Sequence, residues 1–442
     1  MPASPARSAA FDILRAVEQK DAYASELLHS ERYSRLSHVD HRLATEIVMG
    51  VLRWRSVLDG EIAAHSSYNL AKLDAEVLIA LRMGCYQLRF LERIPASAAV
   101  NESVELIKRA RKRSAAPFAN AVLRKIQKGP HIAAQISDSK NAVELAAASA
   151  HPEWLVDRWA KRFGLDAARA ICLHDQQVPA TAIHMTDDSS LAGLIAEGIK
   201  LAPGRLLARA RIMKSGDITK TPVFVAGGVA IQDEASQLIA LLVGKGTQIL
   251  DCCAAPGGKT RVLAEANPQA KILALELHPH RARLLRKMAP QNNVEVMTAD
   301  AVQFSGDRRF DRILVDAPCS GTGTLARNPE IKWRLAQADL QDLQSRQRAI
   351  LQAAMKQLAP GGKLVYSTCS LEDEENSAVV EQALSAVPGF RLMECKEELD
   401  RLKNEGEFVW PDSASLLRGP YLRTIPGVHP CDGFFAAVLT KE

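Results

Sequence analysis

With 442 residues the chain exceeds the size at which a single hydrophobic core stops growing, so two or three domains are expected. Hydrophobic residues at 47% and charged residues at 24% exclude a disordered or fibrous protein. No apolar run approaches the roughly 20 residues that span a bilayer, and the charged start MPASPARSAAFDILRAVEQ lacks the apolar stretch of a secretory signal, so the expected location is cytoplasmic, away from membranes. The eight cysteines form no paired CxxC framework, which argues against a disulfide scaffold and against a bound metal. The net charge of +5 is concentrated near the start, where residues 1–140 hold 21 Lys/Arg against 15 Asp/Glu.

From Pro5 to about Gln127 apolar residues recur at three- and four-residue spacing, as in FDILRAVEQ and AEVLIALRMGCYQLRFL, which predicts an all-helical bundle over 1–140. Its last part gathers Lys108, Arg109, Arg111, Lys112, Arg113, Arg124, Lys125 and Lys128 within about two helices. That density suits a phosphate backbone, since each contact releases counterions; a solvated helix face is the plain alternative. Residues 141–235 read as a small connecting α/β module: HPEWLVDRWAKRFG as helix, TAIHMTD and TPVFVAGGVAIQD as short strands. Over 236–442 the strands GTQILDCCA, AKILALEL, VEVMTAD, FDRILVDAP and GKLVYSTCS alternate with helical segments, which predicts a doubly wound, Rossmann-like α/β domain. Ligands in such sheets bind beyond the carboxyl ends of the strands, so the residues that follow each strand are the candidates for chemistry.

After the first of these strands, Cys253, Ala254, Ala255, Pro256, Gly257, Gly258 and Lys259 form a small-residue turn into a helix. The ending GKT is not a P-loop, because Cys253 stands where that motif requires glycine. A turn of this kind lets a nucleoside cofactor approach the backbone, and Glu276, about 20 residues on at the end of the second strand, is placed to accept from ribose hydroxyls. Asp300 closes the third strand, where it can meet an adenine edge or simply form a turn. The fourth strand delivers Asp316 and Cys319, the fifth Cys369. A lone cysteine is usually a small buried filler, but two at matching strand ends point to one pocket if the strands are neighbours, about 4.8 Å apart.

A thiolate, a carboxyl and a nucleoside cofactor together suit methylation at C5 of cytosine. That carbon is a poor nucleophile until a thiolate adds at C6 and makes the ring enamine-like, with a carboxyl at N3 as charge builds there. Removing the C5 proton and eliminating the thiol then calls for a second acid/base group, and the two cysteines can divide these tasks. A thiol with an ordinary pKa of about 8.5 needs positive charge nearby, for which Lys259 and Lys332 are candidates.

CAAPGGKT at Cys253–Thr260, DAPCSGTGTLARNPEIKW at Asp316–Trp333, YSTCSLEDEEN at Tyr366–Asn376 and DGFF at Asp432–Phe435 resemble the Nop/Sun superfamily of RNA 5-methylcytosine methyltransferases, and within it the bacterial 16S rRNA group. IPASAAVNESVELIKRA and PFANAVLRKI, at residues 94–110 and 117–126, are similar to the NusB-type RNA-binding bundle. The resemblance implies S-adenosyl-L-methionine as cofactor, held by Cys253 to Lys259, Glu276, Asp300 and Asp316, with Cys369 as the nucleophile and Cys319 aiding product release. In DNA cytosine methyltransferases the cysteine after proline is the nucleophile instead, and spacing alone leaves that division open. The expected partner is 16S rRNA or an assembling small ribosomal subunit, bound by a monomer, with the target cytosine flipped out or unpaired. Two rival readings are a non-catalytic NusB-like RNA-binding or assembly factor, and a redox or metal protein built on Cys252, Cys253, Cys319 and Cys369.

Overall fold

The computed structural model describes residues 3–20, 22–129, 136–306 and 308–442. They pack as two compact units: residues 3–178 with Leu325–Arg334, and Pro179–Thr324 with Leu335–Glu442. The stretch 141–235 is thus divided, its helices up to Asp175 going to the first unit, and its strands with helix Asp188–Ala196 to the second.

The first unit is helical. Helices Pro5–Lys20, His38–Arg53, Arg55–His65, Ala75–Phe90, Ala96–Arg109 and Ala116–Lys128 enclose a core that includes Phe11, Ile47, Leu58, Ile62, Leu81 and Met83. Helix starts follow local chemistry: Ser37 Oγ accepts the Asp40 N–H at 3.1 Å, and Pro117 occupies a first-turn position where its missing N–H costs nothing. Ala75–Phe90 is apolar almost all round and becomes the central helix, with ten of its residues buried. Helices Ala142–Ala148, Glu153–Phe163 and Leu165–Asp175 complete the unit.

Leu325–Arg334 closes the end of this helical unit. Helix His38–Arg53 ends with carbonyls that have no partner inside the helix. Trp333 Nε1–H donates to the Leu52 carbonyl at 2.6 Å and the Lys332 ammonium to the Arg53 carbonyl at 3.0 Å. Glu330 accepts the Ala24 N–H at 2.9 Å, and Arg334 donates to the carbonyls of Val17 and Ala22, each at 2.7 Å. Lys332, expected as a charge near a thiol, is instead buried in the helical unit at this helix end. Burial pushes its ammonium down to about 7, against the opposing pull of Asp175.

That shift has a signed consequence. Between about pH 7 and 10.5 the unfolded chain holds a proton that folded Lys332 has released, so this group makes stability rise with pH across that window, and below pH 7 its contribution is constant. K332M removes the group, so its stability relative to wild type is expected to fall by on the order of a few kcal/mol between pH 7 and pH 10, on top of a pH-independent loss of the hydrogen bond to the Arg53 carbonyl. Thermal unfolding of both proteins across this range checks it; a pH-independent difference would mean that Lys332 stays charged when folded.

The second unit carries two sheets. Strands β1 (Ala182–Met185), β2 (Lys200–Pro203), β3 (Ala210–Ser215) and β4 (Val229–Ile231) form a small antiparallel sheet in the order β2-β3-β1-β4. Of TPVFVAGGVAIQD, expected as strand, Val229–Ile231 is strand, but Pro222–Val225 is a helical turn. Thr221 caps it by accepting the Phe224 N–H at 3.2 Å, and Pro222 presets the first turn, which outweighs the β-branched residues that follow.

The large sheet contains β5 (Gln248–Asp251), β6 (Lys271–Glu276), β7 (Val294–Thr298), β8 (Phe310–Asp316), β9 (Leu358–Thr368), β10 (Phe390–Met393), β11 (Leu417–Arg418), β12 (Tyr421–Arg423) and β13 (Phe435–Lys441). Strands β7-β6-β5-β8-β9 are parallel neighbours in that order; β13 continues the sheet antiparallel to β9, followed by β12 and β11, while β10 pairs with β13. Successive residues of the central strands enter opposite cores: Ile313, Val315, Leu364 and Tyr366 pack with Ile350, Leu351 and Val379, whereas Leu314 and Val365 pack with Leu238, Val262 and Leu399. Burial on both faces makes these strands read as continuous apolar runs. Each fully buried aliphatic chain contributes about 1.5–3 kcal/mol.

Candidate active site

From β5 the chain winds one way through β6 and β7 and returns on the other side through β8 and β9, so the winding reverses between β5 and β8. The carboxyl ends of these two strands, Asp251 and Asp316, therefore border the crevice where doubly wound sheets bind ligands.

Beyond Asp251 the chain crosses its neighbours: the Cys252 N–H donates to the Leu314 carbonyl and the Ala254 N–H to the Leu275 carbonyl, both at 2.9 Å. Gly257, at φ +120°, turns the chain into helix Gly258–Ala266; a side chain there would press at 3.0 Å on Leu285 and Met288. Thr260 Oγ donates to Asp251 Oδ2 at 2.7 Å, and burial pushes the 1%-exposed Asp251 carboxyl up to about 7. Glu276 is 5% exposed at the end of β6, where Oε1 accepts the His278 N–H at 2.9 Å and Oε2 lies 4.0 Å from Arg281. Asp300 sits two residues beyond β7, with Oδ1 accepting the Val302 N–H at 2.9 Å in a local turn.

The parallel register of β8 and β9 pairs Asp316 with Ser367, so the segments that follow run side by side. Cys319 Sγ and Cys369 Sγ lie 3.2 Å apart, within hydrogen-bonding distance. Asp316 accepts from Lys259 Nζ at 2.6 Å and from Ser367 Oγ at 2.8 Å, and Lys259 also lies 4.9 Å from the centre of the Phe434 ring. Burial opposes the Lys259 charge, but Asp316, through charge and hydrogen bond, more than offsets it, so the ammonium titrates above the ordinary lysine value and its field reaches Cys369. The Cys319 thiol is driven the other way. Its hydrogen bond to Cys369, burial, and the negative charges of Cys369, Glu375 and Asp316 all raise it and keep it protonated.

A close backbone approach completes the pocket wall. The Gly323 N–H donates to the Cys369 carbonyl at 2.9 Å, and the Gly433 N–H to the Gly323 carbonyl at 2.8 Å. A Cβ on Gly323 would lie 2.2 Å from the Gly433 carbonyl oxygen, so only glycine lets the segment ahead of Phe434 pack here.

Residues 238–440 match the 16S rRNA methyltransferase RsmB/F family and residues 4–128 the NusB family. A probable ribosomal RNA small subunit methyltransferase B of Bacillus subtilis is 33% identical over 467 residues, covering the whole of both chains. The chain belongs to the ribosomal RNA small subunit methyltransferase B family. A second member, from Vibrio cholerae, is 32% identical over 91% of this chain and 90% of its own. Among solved structures, PH0851 superposes with a TM-score of 0.80 over 99% of both chains at 23% identity, showing a shared fold. A methyltransferase homolog protein from Pyrococcus horikoshii, 26% identical, covers 69% of this chain and all of its own with a TM-score of 0.56. This member of the methyltransferase B family is thus an RNA methyltransferase, with S-adenosyl-L-methionine as its methyl donor.

In this family member the structure gathers Cys253 to Lys259, Glu276, Asp316, Cys319 and Cys369 at the carboxyl edge of the sheet, while Asp300 is engaged in its own turn. Lys259, expected as a charge near a thiol, is bound directly to Asp316. Phe434, in DGFF, and Glu375, in LEDEEN, carry no local sequence signal that ties either residue to the thiols. Cys85, Cys172 and Cys395 are buried away in apolar surroundings that push each thiol up to about 12. Among the described residues no helix is long and apolar enough to cross a membrane.

Proposed function

We propose that the protein methylates C5 of a cytosine in 16S rRNA, free or in an assembling subunit, through a covalent adduct between Cys369 and C6 of the base, acting as a cytoplasmic monomer. The observation that carries this reading is the pair of thiols 3.2 Å apart beside the Lys259–Asp316 pair. The turn Cys253–Gly258 and the buried carboxylate of Glu276 fit a nucleoside, with Asp300 as a further contact to the base; there S-adenosylmethionine supplies a methyl group bound to a positively charged sulfur.

Cys369 attacks C6 as thiolate, forming the S–C6 bond and moving electron density onto C5 and N3. Asp316 meets the N3 edge, where its carboxyl passes on a proton drawn from Lys259, whose Nζ lies 2.6 Å from Oδ2, as negative charge grows on N3. Once C5 carries its methyl group, its proton leaves to a base in the pocket, the S–C6 bond breaks, and Cys319 delivers its proton to the departing Cys369 sulfur. The electrostatics support this division: Cys319 holds its proton next to negative groups, and Cys369 feels the Lys259 charge. In the helical unit Arg111, Arg113, Arg124, Lys125 and Lys128 are exposed and lack a carboxylate partner among the described residues, which suits them to rRNA phosphates.

The test is incubation of the protein with methyl-labelled S-adenosylmethionine and unmodified 16S rRNA or immature subunits, followed by digestion to nucleosides. Label in 5-methylcytidine is the expected result. Label in another nucleoside, or none, would refute the reading and favour the RNA-binding factor.

A further inference from the structure

The ladder between β8 and β9 ends at Asp316 and Ser367, three residues short of Cys319 and two short of Cys369, yet the two sulfurs lie within one hydrogen bond of each other. A separate device must hold them there. It is the carboxylate of Glu375, on the single turn Asp373–Glu375 ahead of helix Ser377–Ala386, and 0% exposed. Oε1 accepts the Ser320 N–H at 2.7 Å and Gln347 Nε2–H at 2.9 Å; Oε2 accepts the hydroxyls of both Ser320 and Ser370. The four donors leave little acceptor capacity unused. Ser320 and Ser370 are the residues directly after the two cysteines, and their hydroxyl oxygens lie 3.0 Å apart. Gln347, from helix Asp339–Gln357, also donates to the Pro318 carbonyl at 2.9 Å, so the residue before Cys319 is held as well.

The neighbouring residues fix Glu375 in turn. The Tyr366 hydroxyl donates to the Glu375 carbonyl at 2.6 Å, and Asn376 binds the Thr368 hydroxyl at 2.5 Å and the Ser370 carbonyl at 2.9 Å. No lysine, arginine or histidine pairs with Glu375 among the described residues. A buried carboxylate without a counter-ion costs several kcal/mol, and its hydrogen bonds only offset that cost. A neutral acceptor such as glutamine could meet several of these donors, so the charge itself calls for another explanation, and the one at hand is the thiol pair whose flanking residues it binds.

We propose that Glu375 is the positioning residue of the thiol pair: its buried carboxylate anchors both cysteine-bearing segments to one point and, as a negative charge, keeps the shared proton on Cys319. This rests on the reading of Cys319 and Cys369 as proton donor and nucleophile. Geometry and charge then act together, because the anchor that sets the sulfur–sulfur distance also places a negative charge on the backbone N–H of Ser320, directly after Cys319.

The test uses the full chain with E375Q, which keeps the shape but loses the charge and one acceptor oxygen, and E375D, which keeps the charge but is one methylene shorter. Two readouts are needed: kcat and KM for RNA methylation, and the rate at which iodoacetamide alkylates each cysteine, read by peptide mass spectrometry. For E375Q the expected result is kcat lower by on the order of 10- to 100-fold at unchanged KM, with Cys319 alkylated about tenfold faster at pH 8, as a thiol shifted by about one pH unit would be. E375D is expected to lose kcat while leaving Cys319 slow to alkylate, which separates anchor from charge. Wild-type alkylation and kcat in E375Q would overturn the proposal. So would a loss of kcat that simply tracks a lower melting temperature in both variants with no change at Cys319. If wild type makes no 5-methylcytidine, the functional reading fails, whereas the alkylation rates still decide whether Glu375 controls Cys319.

Discussion

Cys369→Ala loses methyl transfer to cytosine by on the order of 10⁴-fold or more, the scale on which removing a covalent nucleophile costs an enzyme its rate. The loss is chemical before it is structural, since C5 of an intact cytosine ring does not take a methyl group until a nucleophile has added at C6. Alanine removes the thiol that makes that addition, and Cys319, still buried beside the charges of Glu375 and Asp316, lies a hydrogen bond's length away from that position rather than in it. Binding of S-adenosylmethionine and RNA is expected to survive, as the turn Cys253–Gly258 proposed to hold the cofactor and the exposed basic side chains of the helical unit are untouched. Single-turnover kinetics with labelled donor, alongside equilibrium binding of the donor, check both parts. A variant that still transfers methyl within tenfold of wild type would remove Cys369 from the nucleophile's role.

Cys319→Ala fails later. The C6 bond still forms and the methyl group still moves, but the departing Cys369 sulfur has lost the proton donor 3.2 Å away. Adduct therefore accumulates: a protein–RNA complex that survives denaturing electrophoresis, approaching one RNA per protein, with turnover below one per enzyme. The variant is active in a burst and silent afterwards, whereas Cys369→Ala shows neither burst nor adduct. Normal turnover without adduct would show that water or another group serves elimination, and adduct formation in Cys369→Ala but not in Cys319→Ala would exchange the two cysteines.

Much of this site was legible in the chain because its signals are local. The strands of the parallel sheet are buried on both faces, so apolar runs such as ILVDAP announce them, and the candidate residues lie at or just past their ends, as Asp316, Cys319 and Cys369 do. What stayed hidden depends on partners far away in sequence. The carbonyl that Lys332 caps is 279 residues earlier, and no local pattern reveals that an ammonium in NPEIKW is needed at a helix end. Glu375 sits in an acidic run, LEDEEN, that reads as a solvated turn until the two serines, 55 and 5 residues away, are seen to converge on it. The antiparallel edge, with β11 only two residues long and β12 three, is too short to show periodicity. Pro222–Val225 misled in the opposite sense, since a Thr–Pro start decided in favour of a helical turn over strand propensity.

The covalent role of Cys369 is tested most directly by trapping. An RNA carrying 5-fluorocytidine in place of cytidine completes addition and methyl transfer, but with fluorine at C5 there is no proton to lose, so the adduct cannot resolve. Protease and nuclease digestion of the trapped wild-type complex, followed by mass spectrometry of the modified peptide, identifies the attached residue. The account predicts a methylated fluorocytidine on the peptide that contains Cys369. The same adduct on Cys319, or no adduct with an RNA that wild type methylates when unsubstituted, would contradict it.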